Sequence, residues 1–291
     1  MASNVTTAAP EVEPPILEQI RTAQQAARAS FRFKFVLTWV VILAVVGIAI
    51  VATGNADPEF TGTWTLYILG GTGLTILISV ISIILATFLA IIGAMGRLSS
   101  NGFINGAASL YVSLVRGTPL LVQIYFVFFA LPQMGIVLDV IPAGIVALAF
   151  NYGAYMTEIF RAGIQSVGHG QSEAAKVLGM TYATKMRRVI LPQALRVIIP
   201  PTGNEFIAMM KDTALVSFLG TSVAQMEIFR RAQLVGRADF RNLEALIIAA
   251  LIYWGLTTIF QYFQLRLERR LSKGYVRGTA GVAGADARHG P

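Results

Sequence analysis

FTGTWTLYILGGTGLTILISVISIILATFLAIIGAMG, residues 60–96, holds no Asp, Glu, Lys or Arg. A helix crosses a hydrocarbon layer of about 30 Å with about 20 apolar residues, so this run is too long for one crossing. Its start, around Trp64 and Tyr67, is predicted to lie as an outer interfacial segment, leaving a span over 70–96. The same ruler finds span one at Phe35–Thr53, span three near 119–132 with a half-buried approach from Phe103, span four near 142–161, span five near 200–219 and span six near 243–265. Pro119 suits the first turn of a helix. The predicted fold class is therefore all-α, a polytopic membrane protein with six transmembrane helices.

Composition agrees with the spans. Charged residues make up 13% of the chain, against about 25% in an ordinary soluble domain, and the mean hydropathy is +0.65. There is no cysteine, which excludes disulfide and thiol chemistry, and only His169 and His289 are available to a His-based metal site. The net charge of +8 does not point to nucleic acid, because no aromatic-interleaved basic domain is present. It reads instead as Lys and Arg marking the cytoplasmic side of a membrane protein.

The positive-inside rule then sets the orientation. Arg21, Arg28, Arg32 and Lys34 precede span one, and Asp57 and Glu59 follow it. Both termini are expected in the cytoplasm, the C-terminal side carrying Arg266, Arg269, Arg270 and Lys273. Residues 1–34 form a cytoplasmic extension with no cleavable signal, in which Pro15–Ala29 is predicted as a short helix. Residues 35–270 form the membrane domain. Residues 271–291, rich in Gly and Ala, are predicted to be a disordered tail. The basic stretch 162–196 falls on the cytoplasmic side as a loop outside the membrane.

That loop contains GHGQSEAAKVLGMTYATKMRRVILPQALR, residues 168–196. A short helix is predicted over Gln171–Leu178, with Gly179 as its C-terminal cap. A basic segment follows and is expected to stop at Leu191-Pro192. Ala174 and Ala175 permit close approach by another surface, and a connection this long is usually functional or disordered.

Glu173-Ala174-Ala175, Gly179 after three intervening residues, and Leu191-Pro192 resemble the loop by which permeases of type I ABC importers bind their ATPase. Val189 stands where that pattern usually has Ile. Arg116-Gly117-Thr118-Pro119-Leu120-Leu121-Val122-Gln123 is similar to the RGTPLLVQ segment of the polar amino-acid permeases, which serve histidine, glutamate, glutamine, arginine and opines. Ala154-Tyr155, Glu158-Ile159-Phe160-Arg161-Ala162-Gly163-Ile164, Pro192-Gln193-Ala194-Leu195-Arg196, Gly203-Asn204-Glu205 and Lys211-Asp212-Thr213 match in the same order, over about residues 70–268.

The resemblance implies a type I importer permease core and a transport subunit rather than an enzyme. Its partners would be ABC ATPase subunits, a second permease subunit in a homo- or heterodimer, and an extracytoplasmic substrate-binding protein delivering a small amino acid; nucleic acid is not expected. The loop 165–192 would be the coupling site, carried by Glu173, Ala174, Ala175, Gly179, Leu191 and Pro192. No cofactor is expected in this chain: it has no GxxxxGK[ST] phosphate loop, so ATP and Mg would sit on the partner ATPase. An ion-gradient-driven secondary transporter is the alternative from the spans alone, but inverted repeats would accompany it and none is visible. An ABC permease for another small polar solute is the other.

Span five locates candidate substrate contacts without any family. At about 100° per residue, Asn204, Glu205, Lys211 and Asp212 fall within an arc of about 120°. Charges inside a membrane almost always face the bundle interior or a cavity. Lys211 is expected to meet a substrate carboxylate, and Asp212 or Glu205 an ammonium; otherwise Lys211 and Asp212 neutralise each other. Asn151, Tyr155 and Glu158 form a polar stripe on span four, where Glu158 can simply pair with Arg161. Thr72, Thr75, Ser79 and Ser82 share a face of span two; Thr75 and Ser79 are candidates for lining the path, although such hydroxyls often serve helix packing. Met209 and Met210 are expected as core filler.

Overall fold

The computed structural model describes residues 15–52, 57–220, 222 and 225–271. Among them there is no strand, and the chain divides after Asp57 into two compact units. The first contains one helix, α1 (Pro15–Ala52). The short helix and span one predicted separately are thus a single element, as no Pro or Gly interrupts residues 16–46. Phe31, Phe35 and Trp39, spaced four apart, stack along it at 6.2 and 6.1 Å between centroids. Thr53 and residues 272–291 of the predicted tail 271–291 lie outside the described residues; Leu271, predicted as the first residue of that tail, is instead the last of a helix.

The second unit runs through α2 (Pro58–Leu69), α3 (Thr72–Arg97), α4 (Gly102–Arg116), α5 (Leu120–Tyr125), α6 (Val140–Gln165), α7 (His169–Val177), α8 (Tyr182–Lys185), α9 (Leu191–Asp212), α10 (Ile228–Ala238) and α11 (Asn242–Leu271). A π turn and a 3-10 turn carry α5 on to Met134, and a 3-10 stretch, Thr213–Leu219, follows α9.

The predicted outer segment is α2, and its break from α3 falls at Gly70-Gly71. A Cβ on Gly71 would lie 2.5 Å from the Ile228 nitrogen, so only glycine lets the start of α10 cross here. Glu227, buried, caps α10 by accepting from the amides of Phe229 and Arg230, 2.9 and 2.6 Å, and from the hydroxyls of Ser217 and Tyr253. Arg231 donates to the Tyr67 carbonyl at 2.7 Å, and Trp64 donates to Asp239 at 3.1 Å.

The centre of the bundle is the pair α3 and α6. Lipid offers no hydrophobic drive for two apolar helices to associate, so close packing of small residues does it. Ala86 and Ala90 of α3 share one buried cluster with Ala143, Ala147, Leu148 and Met156 of α6. Gly93 is the closest approach: a Cβ there would sit 2.3 Å from Thr157 Oγ1. Met209 belongs to this cluster, and Met210 to a second one that joins α2, α10 and α11, so both methionines are core filler as expected.

Pro58–Arg97, Val140–Gln165 and Asn242–Leu271 are long and apolar enough to cross a membrane. They contain the predicted spans two, four and six. The third predicted span is not straight: α4 and the stretch Leu120–Met134 are bent by 106°, and they count as one further span only if taken together. The fifth, on α9, does not meet that measure among the described residues, since Arg196, Asn204, Glu205, Lys211 and Asp212 dilute its apolar run.

The basic segment does not stop at Leu191-Pro192. Residues 182–212 are continuously helical, passing through a π turn at Met186–Ile190. Pro192 has no amide to give, and the wider turn absorbs this: the Leu191 amide donates to the Met186 carbonyl, five residues back, and Gln193 Nε2 donates to the Val189 carbonyl at 3.0 Å.

Candidate functional site

The 106° bend is built by Gly117-Thr118-Pro119. Pro119 is extended, at φ −62° and ψ 137°, and the last carbonyls of α4 need other donors. The Thr118 hydroxyl donates to the Leu114 carbonyl at 3.0 Å, and Gln123 serves Val115 and the bend itself. Its Nε2 donates to the Val115 carbonyl at 2.8 Å, to the Thr118 carbonyl at 3.1 Å and to Thr118 Oγ1 at 2.9 Å. Asn151 of α6, itself buried, fixes that amide by donating from Nδ2 to Gln123 Oε1 at 3.1 Å. The two ends of the Arg116–Gln123 segment therefore hold each other, and α6 holds both.

A cavity of about 500 Å³ opens beside this bend. Arg116, Thr118 and Pro119 line it from the bend, Asn151, Tyr152 and Tyr155 from α6, and Glu205 and Asp212 from α9. The Arg116 guanidinium lies 5.1 Å from the Tyr155 ring centroid, within cation–π range. Tyr152 donates its hydroxyl to Asp212 Oδ2 at 2.7 Å. One guanidinium and two carboxylates thus face a single space, held by aromatic residues of the central helix.

Of the residues predicted from sequence, Asp212, Glu205 and Asn151 meet here. Lys211 and Asn204 do not line the cavity; both are exposed. Consecutive residues on a helix point about 100° apart, and the wall admits Asp212 but not its neighbour. The cation facing the cavity is Arg116, the first residue of the RGTPLLVQ-like segment and not one of the predicted substrate contacts. Its signal was legible: a charge in the last turn of a helix, directly before a Gly-Thr-Pro breaker. Tyr152 carried no such signal, because an aromatic at helical spacing reads as core.

Thr75 and Ser79 are wholly buried and outside this cavity; Ser79 donates to the Thr75 carbonyl at 2.7 Å, the packing role open to hydroxyls in membrane helices. Glu158 pairs with Arg161 at 2.7 Å, and also with Arg97 of α3 at 3.1 Å.

The second site is the loop after α6. α7 ends in a Schellman motif: Gly179, at φ +71°, donates to the Lys176 carbonyl at 2.9 Å, and Met180 donates to the Ala175 carbonyl at 3.0 Å. The predicted glycine cap is present at that residue. Ala175 is buried against the rest of the loop, while Glu173, Ala174, Leu191 and Pro192 are exposed. Lys185 Nζ donates to Ser172 Oγ at 3.0 Å and fastens α8 to α7. Val177, Leu178 and Tyr182 are 88%, 74% and 71% exposed, an apolar cluster at the tip of a basic loop.

Comparison with known proteins agrees with this arrangement. Residues 82–273 match the family model for the binding-protein-dependent transport system inner membrane component. The L-cystine transport system permease protein TcyB of Bacillus subtilis (strain 168) is 42% identical over 208 residues, which cover 70% of this chain and 86% of TcyB. The arginine transport system permease protein ArtQ of the same organism is 39% identical over 218 residues, 75% of this chain and 98% of ArtQ. Among solved structures, an amino acid ABC transporter with histidines matches with a TM-score of 0.69 and 38% identity, over 74% of this chain and 99% of its own. A bacterial alginate importer shares the fold at a TM-score of 0.59 and 13% identity, over 86% of this chain and 99% of its own. The chain therefore belongs to the family of binding-protein-dependent transport system inner membrane components, as a permease subunit of the type I ABC importer fold.

Proposed function

We propose that this permease carries an amino acid across the cell inner membrane, driven by ATP that separate ATPase subunits bind and hydrolyse with Mg. The observation that carries this reading is the charge set of the cavity. An amino-acid zwitterion presents a carboxylate and an ammonium a few bonds apart. Arg116 faces the first, and Asp212 and Glu205 face the second. The relatives named for L-cystine and arginine support an amino acid over other small solutes.

The coupling follows from connectivity. Residues 182–212 form one continuous helix, with the loop's basic segment at its start and Glu205 and Asp212 at its end. An ATPase seated on Val177, Leu178 and Tyr182 pushes on α7 and α8, and α9 carries that displacement to the cavity wall. Glu173, Ala174, Ala175 and Gly179 shape the docking surface; Leu191 and Pro192 set where α9 departs. A second permease subunit completes the pathway, and an extracytoplasmic binding protein delivers substrate. Both termini face the cytoplasm, with the loop 165–192.

Reconstitution with the ATPase and binding protein in proteoliposomes tests this. Labelled arginine, glutamine or cystine should enter only with ATP inside and binding protein outside. Uptake that follows an imposed ion gradient without ATP would overturn the reading.

A further inference from the structure

α9 carries a proline pair inside its helix, and one side chain of α11 is bonded to it. Pro200 and Pro201 are consecutive inside the helix, and neither has an amide. The carbonyls of Arg196 and Val197 thereby lose their partners one turn earlier, and both rings crowd the preceding turn. Gln264 reaches this point from α11. It is 8% exposed, and its Nε2 donates to the Pro200 carbonyl at 2.7 Å and to Glu268 at 3.0 Å. Gly203 makes the room: a Cβ there would lie 1.9 Å from Gln264 Oε1 and 2.6 Å from Nε2. One turn further on, Phe206 packs edge-on against Phe260 of α11 at 5.3 Å.

We propose that Gln264 is a positioning residue for transport, a latch that holds the Pro200-Pro201 hinge of α9 at one angle and makes the coupling loop and the cavity move as a unit. Glycine at position 203, which the sequence offered only as part of a motif, is the cradle for that latch. The hinge lies between the basic segment and Glu205, so a slack hinge absorbs displacement before it reaches the cavity. This rests on the permease reading for its consequence, but the hinge angle itself does not.

The test uses two variants that remove the same hydrogen bond by different means. Gln264→Ala deletes the donor. Gly203→Ala evicts a flexible side-chain end and leaves Gln264 in the chain. The protein has no cysteine, so spin labels on Arg188→Cys, in the π turn before α9, and Phe218→Cys, in the 3-10 stretch after it, report its angle in the assembled transporter in nanodiscs, with singly labelled controls to remove inter-subunit distances. Both variants should widen the distance distribution by several ångströms. In proteoliposomes with labelled arginine, both should raise the ATP hydrolysed per arginine moved severalfold while the assembled transporter is recovered in normal amount. An unchanged distribution in either variant overturns the latch, as does a parallel fall of hydrolysis and uptake at constant ratio. Absence of arginine uptake in the wild type counts against the substrate assignment alone, since the distance measurement needs no substrate.

Discussion

Tyr152 and Asp212 join α6 to α9: the phenol of α6 donates to the carboxylate at the end of α9 across 2.7 Å. Sixty residues separate them in sequence, and the bond orients one of the two span-five carboxylates, Asp212 and Glu205, that line the cavity. A hydrogen bond to a charged group contributes about 1.5–3 kcal/mol, and about 1.4 kcal/mol is tenfold in affinity. Tyr152→Phe should therefore raise the KM for uptake roughly tenfold with little loss of assembled transporter, measured as initial rates against substrate concentration.

Asp212 and Lys211 should separate cleanly. Asp212→Asn removes a cavity charge and should abolish uptake with ATPase docking intact. Lys211→Met alters an exposed residue outside the cavity and should leave the KM within about twofold, a difference under roughly 0.5 kcal/mol. If the two instead neutralise each other, Lys211→Met combined with Asp212→Leu should recover uptake that each single change loses. Comparing the three variants at equal expression decides between these outcomes.

Gln123 and Asn151 should act as one unit. Each alanine substitution loosens the same bend, so the double variant should cost less than the sum of the singles. Contacting pairs of this kind show interaction energies of about 0.5–3 kcal/mol. A double-mutant cycle on uptake KM measures it, and strict additivity would count against a shared clamp.

The loop 165–192, proposed as the ATPase-coupling site, should fail without loss of the membrane domain. Leu178→Asp places a charge in the exposed apolar cluster and should prevent co-purification of the ATPase. Gly179→Val forces a β-branched residue into φ +71°, at a cost of at least about 1–2 kcal/mol, and should weaken docking by fraying α7. The permease itself should still insert, as read by its yield in washed membranes.

Orientation has its own check. With no native cysteine, Lys176→Cys should resist an impermeant thiol reagent applied to intact cells and react once the cells are opened. Labelling from outside would reverse the topology.

Local pattern alone determined much of this protein. Uncharged runs marked α3, α6 and α11 because lipid tolerates no unpaired charge or backbone group, and the EAA-to-glycine spacing located a helix and its cap because a Schellman turn is decided within six residues. The helical wheel narrowed α9 to one polar arc, yet it held no information on which part of that arc another helix would cover. Tertiary structure decided that. The 106° bend, clamped by Gln123 and Asn151, carried Arg116 to the cavity that Asp212 lines and left Lys211 outside, and α11 brought Gln264 to the Pro200 carbonyl through the space that Gly203 leaves open. Such contacts join residues tens of positions apart, and their geometry depends on how whole helices pack, which no local spacing encodes.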